Sequence, residues 1–274
     1  MITIINVLNV LLPFCYLIAF TIYCIDFFSE IRNLMFTKRI SISSIVILHL
    51  IYILIRTIEF NHAPITNKFE LFTSIAFTVS LAYFILELLT NVRSTGFFII
   101  FIALIFQLIS SIFIENIFIV KEVLRNPLLG LHVISAMLGQ TSLILSAIYG
   151  ILFIILYNKI KKHNFGDLFN KLPNLELLEK MSFITLVTGY IILSFSIIIG
   201  AIWLPIAFPD FKHLDPKLTS TIFIWIFYTL GISAKKFFNW YGKKVIYLSL
   251  IGFVILIISM IIPIVFKSSF HNFQ

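Results

Sequence analysis

Eight long apolar stretches, separated by short polar segments, dominate this sequence of 274 residues. They run roughly over 4–26, 40–59, 69–90, 96–114, 128–157, 181–204, 218–234 and 245–266. About 20 consecutive apolar residues cross the hydrocarbon core of a bilayer, and most of these stretches reach that length. Hydrophobic residues make up 60% of the chain and charged residues 12%, which is more apolar surface than a soluble domain can bury. The pattern therefore predicts a polytopic membrane protein.

The character of the stretches distinguishes between the two architectures that can span lipid. A chain in lipid must satisfy its backbone polar groups internally, so it forms either a helix bundle or a closed barrel. The apolar stretches are continuous rather than alternating, which indicates helices. We expect an all-α transmembrane bundle of about eight helices, forming a single integral membrane domain over residues 1–274. The first stretch lacks a basic n-region and a small-residue cleavage site, so we interpret it as a retained span.

The distribution of basic residues predicts the orientation. The net charge of +8 does not indicate nucleic acid, because the basic residues lie in short loops between the spans. With the N-terminus outside, the inner loops hold thirteen Lys and Arg and the outer segments hold six. Inner loops carry the excess of Lys and Arg in membrane proteins, which favours an N-out, C-out topology. We expect the bacterial cytoplasmic (inner) membrane.

Four of the six histidines fall on the outer side in this topology, namely His62, His132, His213 and His271. His49 lies within the second span and His163 in an inner loop. The fifth helix carries small residues within about 80° of His132, so that this imidazole is predicted to face the bundle near its outer end. These small residues are Ser135, Gly139, Ser142, Ser146 and Gly150. A bundle-facing imidazole at the interface is a candidate functional group, although the small residues alone indicate ordinary helix packing.

Imidazoles beside aromatic side chains at a membrane surface suit an iron porphyrin, because neutral histidine ligates haem iron and aromatic rings cover the macrocycle. A zinc site remains open, since Asp210 and Asp215 lie near His213. Cys15 and Cys24 lie nine residues apart on one helix and are interpreted as packing residues. The sequence has no CxxC motif, so it does not indicate a dithiol or zinc centre.

Several ordered motifs add a family resemblance. They are PITNKFELF at 64–72 preceded by Arg56, LLGLHVISAMLGQ at 128–140, the stretch from GAIW at 200–203 to Gly252-Phe253, and His271-Asn272-Phe273. Within the third stretch the matching residues are Asp215-Pro216-Lys217, Trp225, Tyr228, Trp240, Gly242 and Lys243. Together these segments, over about 45–273, resemble the cytochrome c assembly family, the haem-handling proteins that include CcsA, CcmC and the HemX-like proteins. The family's tryptophan-rich segment corresponds to 200–217 here and holds fewer tryptophans. In this respect the chain resembles the HemX-like branch most.

The resemblance implies a haem-handling membrane protein that delivers haem, expected to be haem b, to apocytochrome c at the outer face. It places His132 on the family's outer haem-ligand histidine, and we expect His132 and His271 to be the axial ligands of haem iron. Trp203, Phe208 and Phe211 would lie under the ring, with Lys212 and Lys217 near the propionates. Asp215 belongs to the matched motif but is equally suited to cap the seventh helix, with Pro216 as its first residue. Arg56 is expected to pair with Glu59 or Glu70 in a structural role.

Two other classes of function remain open at this point. One is a HemX-like regulator or scaffold of a haem-synthesis enzyme that acts without tight haem binding, through its basic inner loop 158–180. A transporter would need polar groups at the bilayer midplane, where His49 is the main candidate and Glu87 lies nearer the inner end. Expected partners are haem, membrane lipid and either a CcsB-like protein with apocytochrome c or a haem-biosynthesis enzyme. We expect no stand-alone enzyme, but a component of a haem lyase or synthase system.

Overall fold

The computed structural model describes residues 1–29, 34–92, 94–118, 120, 122–163, 166, 169, 171–207 and 216–265. These residues contain eight α-helices of 18 residues or more and no β-strand, which confirms the all-α prediction. The helices are α1 (Ile2–Phe28), α2 (Met35–Phe60), α3 (Lys68–Thr90), α4 (Gly96–Phe113), α5 (Pro127–Lys161), α6 (Leu175–Ala207), α7 (Pro216–Phe238) and α8 (Lys243–Val265). A short 3-10 helix, Glu122–Arg125, precedes α5.

Seven of these helices, α1 to α7, are long and apolar enough to cross a membrane. Helix α5 has 35 residues and α6 has 33, so each is about 50 Å long. The hydrocarbon core is about 30 Å thick, and both helices therefore extend beyond it.

The chain divides into two compact units, Met1–Met137 and Leu138–Gln274, and the boundary falls within α5. In the first unit, α1 packs against α2 and α4, and α3 packs against α2 and α4. In the second unit, α6, α7 and α8 contact one another. A single integral membrane domain remains a prediction.

A chain of hydrogen bonds runs through the core of the first unit. The Thr73 hydroxyl donates to Gln107 Oε1 at 2.8 Å, so its oxygen is placed to accept from His49 Nε2 at 3.0 Å. The other ring nitrogen of His49, Nδ1, then accepts from the Tyr16 hydroxyl at 2.9 Å. Gln107 continues the chain by donating to Ser111 at 2.9 Å. The apolar core thus holds these polar groups because each has a partner.

Small residues bring α5 and α6 together in the second unit. A Cβ atom on Gly139 would lie 2.9 Å from the backbone nitrogen of Leu193, and one on Gly189 would lie 2.8 Å from the Gly139 carbonyl oxygen. Any larger residue at either position would push the two backbones apart. The small-residue stripe predicted from the sequence therefore acts at this crossing as a packing device.

A serine cluster joins α5, α6 and α8 within the same unit. Ser146 Oγ lies 2.7 Å from Ser249 Oγ, and the Ser182 hydroxyl donates to the Ser146 carbonyl at 2.9 Å. All three side chains are buried. Short hydroxyl side chains allow close approach of the helices and still satisfy one another's hydrogen bonds.

Candidate functional site

The segment that begins α3 is built around a buried carboxylate. Asn67 caps the helix, since its side chain accepts from the backbone N–H groups of Phe69 and Glu70, both at 2.9 Å. Glu70, in the first turn of α3, points back toward Thr66. Its Oε2 accepts from the backbone N–H of Thr66 at 2.9 Å and from the Thr66 hydroxyl. The PITNKFE motif therefore forms a helix cap that presents the other carboxylate oxygen inward.

Arg56, near the C-terminal end of α2, meets that oxygen. Its Nε and Nη2 lie 3.2 and 2.9 Å from Glu70 Oε1, and the two side chains are 1% and 0% exposed. Nη2 also donates to the Glu115 carbonyl at 2.6 Å, and Nη1 donates to Asn116 Oδ1 at 3.0 Å. The expected partner Glu70 is confirmed, and the role is structural: Arg56 joins α2, the start of α3 and the segment after α4.

His62, in the loop after α2, also contacts the segment that follows α4. Its Nδ1 lies 2.9 Å from the Ala63 carbonyl oxygen, and its Nε2 lies 3.0 Å from the Ile117 carbonyl oxygen. Each ring nitrogen therefore lies within hydrogen-bond distance of a backbone carbonyl, and the neutral ring donates its one N–H to either of them. His49, in the core of the unit, is likewise engaged at both nitrogens by Tyr16 and Thr73. These contacts assign both histidines to the internal structure of the first unit rather than to ligation.

The start of α5 packs on the loop that follows α2. Asn126 accepts from the backbone N–H of Leu128 at 2.8 Å, which caps the helix. A Cβ atom on Gly130 would lie 3.1 Å from the Ala63 Cβ, so glycine permits close contact at this point. His132 follows two residues later and is half-buried, with its carbonyl oxygen accepting from the Ser135 hydroxyl at 3.0 Å. The structure thus places His132 in the first turns of the fifth helix, where the sequence predicted it.

A crevice of about 520 Å³ lies beside this segment within the first unit. Its walls come from α2, α3 and the start of α5, and its polar end is formed by the loop after α2 and by Arg125 and Asn126. No sequence pattern predicted this crevice, because its lining residues come from three separate segments of the chain, within 50–63, 74–78 and 125–137.

The aromatic residues of the family-like motif in the second unit pack α7 against its neighbours. Trp225 Nε1 donates to Ser194 at 2.7 Å, and the Tyr190 ring stacks on the Trp225 ring with centroids 5.8 Å apart. Tyr228 is buried, and its ring fills the space that a side chain at position 252 would need, so Gly252 is required there. Trp203 is also buried, near the end of α6. Trp225 and Tyr228 therefore have a packing role.

The turn between α7 and α8 accounts for the Gly-Lys part of the motif. Gly242 has a positive φ of 57°, which favours glycine, and its N–H donates to Glu179 Oε2 at 2.8 Å. Lys243 Nζ lies 3.8 Å from the centroid of the Tyr157 ring, in a cation–π contact. This element shapes a tight turn at the predicted inner face.

Most of the predicted ligand set lies outside the described residues. This applies to Phe208, Phe211, Lys212, His213, Asp215 and His271, and to Asp210 of the alternative zinc site. Helix α7 begins at Pro216, as the helix-start interpretation of the motif predicts, and the side chain of Lys217 is not described. Within the described part of the chain no group of three or more His, Cys, Asp or Glu is arranged to hold a metal ion. The ligand assignments therefore stay predictions.

Comparison with known proteins adds evidence beyond the geometry. The family model described as "Cytochrome C assembly protein" matches residues 65–269. A "Cytochrome c biogenesis protein CcsA" of Guillardia theta is 26% identical over 219 residues, 73% of each chain. Proteins of the same description from Trieres chinensis and Prochlorococcus marinus strain SARG are 26% identical over 273 residues and 23% identical over 255 residues. The first of these alignments covers 88% of both chains, and the second covers 81% of this chain and 79% of the relative. No solved structure matches significantly.

Proposed function

This chain belongs to the cytochrome c assembly protein family, and we propose that it handles haem in a membrane and delivers it to apocytochrome c. The family match over residues 65–269 carries the proposal, because it spans most of the chain and includes the helix of His132 and the segment after Trp203. The relatives named above are all described as cytochrome c biogenesis proteins. The HemX-like branch and the regulator alternative, which the reduced tryptophan segment favoured, find no support in these comparisons.

Haem is the cargo in this proposal, with His132 and His271 as its axial ligands. His132 suits this role because it is half-buried in the first turns of α5, near the outer face that the basic residues predict. His271 lies two residues beyond the family match, and its assignment rests on the His271-Asn272-Phe273 motif.

The remaining residues of the proposed site would orient the cargo and exclude water. Trp203 is buried near the C-terminal end of α6, which the predicted topology puts at the outer face, and it would cover the porphyrin together with Phe208 and Phe211. Lys212 and Lys217 would pair with the propionates as point charges. Asp215 is proposed to fix the segment before α7. Bound haem supplies the iron chemistry; the protein supplies ligands, orientation and an apolar cover. Haem b, a CcsB-like partner and the bacterial inner membrane are part of the same proposal.

The absorption spectrum of the purified chain tests the ligands. We expect the protein from haem-replete cells to carry haem, and His132→Gly and His271→Gly each to lose or shift its spectrum. Added imidazole should restore the spectrum of each variant, because it replaces the missing ligand without repairing a misfolded chain. His163→Gly, in a turn at the predicted inner face, is the matched control and should leave the spectrum unchanged.

Two results would overturn the assignment. One is wild-type protein without stoichiometric haem; the other is unchanged haem ligation in both ligand variants. The topology offers an independent test, since residues 132 and 271 must lie on the same outer side of the membrane. Reporter fusions that place these residues on opposite sides would exclude a single haem ligated by both.

A further inference from the structure

The crevice in the first unit has the form of a site for an amphiphilic chain. Its volume of about 520 Å³ falls in the range of about 300–1,000 Å³ that is typical of ligand sites. We propose that it binds one anionic phospholipid of the outer leaflet, with an acyl chain between α2, α3 and α5 and the phosphate at Arg125. The proposal does not depend on haem handling.

The walls of the crevice are apolar. Leu50, Leu54 and Leu131 line it and are 42%, 51% and 48% exposed, so we expect this side of the crevice to open toward lipid. The hydroxyls of Thr57 and Ser74 also lie in the lining, but each donates to a backbone carbonyl, at 2.8 and 2.9 Å. The lining therefore presents hydrocarbon to an occupant, which favours an acyl chain over a polar solute.

The crevice has the length of one leaflet. Its lining on this side runs from Leu50 of α2 to Asn61 just after that helix, a distance of about 16 Å at 1.5 Å per residue. Half of a hydrocarbon core of about 30 Å is about 15 Å. An acyl chain along this wall would therefore end near the midplane, while its headgroup would lie at the level where α2 ends.

The positive charge at the polar end of the crevice determines which lipid headgroup fits there. Arg125 is exposed, lines the crevice beside Asn61 and Asn126, and makes no ion pair with any residue that the structure describes. Glu122, three residues earlier in the same 3-10 helix, is the nearest acid in sequence, and the structure records no ion pair between the two. An arginine with free donors at the interface suits a phosphate, and net negative lipids suit it more than zwitterionic ones.

Retention of lipid by the full chain tests the proposal. The protein is reconstituted in vesicles of phosphatidylcholine with or without phosphatidylglycerol, extracted in mild detergent and examined by native mass spectrometry. We expect one phosphatidylglycerol per chain. Arg125→Gln should lower its retention about fivefold, the effect expected of one phosphate contact, and Ile134→Trp should lower it further by filling the crevice.

Matched controls separate the crevice from general lipid binding. Arg39→Gln removes an exposed arginine from the predicted inner end of α2, and Ile58→Trp enlarges an exposed residue of α2 outside the crevice lining. Both controls should retain lipid as the wild type does. Arg125→Gln keeps the proposal testable if Ile134→Trp fails to fold, because Arg125 is exposed and supports no described contact.

Three outcomes would overturn the lipid site. The first is that crevice variants and controls retain equal amounts of lipid. The second is that the wild type retains phosphatidylcholine as well as phosphatidylglycerol. The third is that haem displaces the bound lipid and that Arg125→Gln no longer binds haem. The last outcome would make the crevice a haem site. Failure of haem binding at His132 would leave the lipid result unchanged, so the two proposals fail separately.

Discussion

The buried pair of Arg56 and Glu70 should make a large contribution to the stability of the first unit. Arg56→Met removes a cation that is 1% exposed and that donates to Glu70, Asn116 and the Glu115 carbonyl. Removing one partner of a buried ion pair costs about 3–5 kcal/mol, because the other charge stays buried. Glu70 keeps two donors from Thr66 at its other oxygen, so we expect the lower end, about 3 kcal/mol.

A double-mutant cycle separates the ion pair from its surroundings. Asn116→Ala removes only one of the contacts of Arg56 and should cost about 1 kcal/mol. Arg56→Met combined with Glu70→Gln should cost less than the sum of the single changes, by about 1–3 kcal/mol, since no unpaired charge remains.

The free energy of unfolding, measured in mixed micelles with increasing sodium dodecyl sulfate, reports these differences. Arg39→Met is the matched control, because Arg39 lies on the same helix but is exposed, and it should change the free energy by no more than about 0.5 kcal/mol. If Arg56→Met costs no more than Arg39→Met, or if the double mutant shows no coupling, the pair does not stabilise this unit and the reasoning is wrong.

Two further predictions concern the helix crossing and the buried polar chain. Gly139→Ala should destabilise the second unit by about 1–3 kcal/mol, because its Cβ would meet backbone atoms of α6, whereas Gly150→Ala should have little effect since its Cβ would make ordinary contacts of 3.4 Å or more. Unfolding in the same mixed micelles measures both, and equal effects would contradict the close backbone approach. His49→Leu should cost about 1–3 kcal/mol because it leaves two buried hydroxyls without their ring partners, while the exposed Thr21→Val should be close to neutral. A neutral His49→Leu would show that the polar chain does not contribute to stability.

The helices were predictable from the sequence because lipid requires long apolar segments, but their ends depend on local capping. The predicted span 181–204 became a helix that begins at Leu175, since Asn174 accepts from the backbone N–H of Leu177 at 2.8 Å and starts the helix earlier. Helix α7 likewise continues past the predicted 234 to Phe238, with Lys235 and Lys236 in its last turn, where cations are favourable. Hydropathy locates the part of a helix in lipid, not its polar extension.

The internal contacts of the first unit were less predictable. Spacing of three residues along a helix made Glu59 as plausible a partner for Arg56 as Glu70, and only the folded loop before α3 decides between them. Gln107 was a recognisable candidate for a buried hydrogen-bonding group. Apart from two serines, the other residues of α4 are apolar or glycine, and a polar residue in such a helix usually faces the bundle. The connection of Gln107 to His49 through Thr73 depends on three helices meeting, which no single-segment pattern reveals.

The pairing of Arg56 with Glu70 also bears on how the chain enters the bilayer during synthesis. In the predicted topology Arg56 lies at the outer end of α2, and translocating an arginine on an isolated helix costs a few kcal/mol. Its counter-ion lies 14 residues later, at the beginning of the next helix. Insertion of α2 and α3 as one hairpin would let the two opposite charges cross together, and the pair would then assist membrane insertion as well as the finished fold.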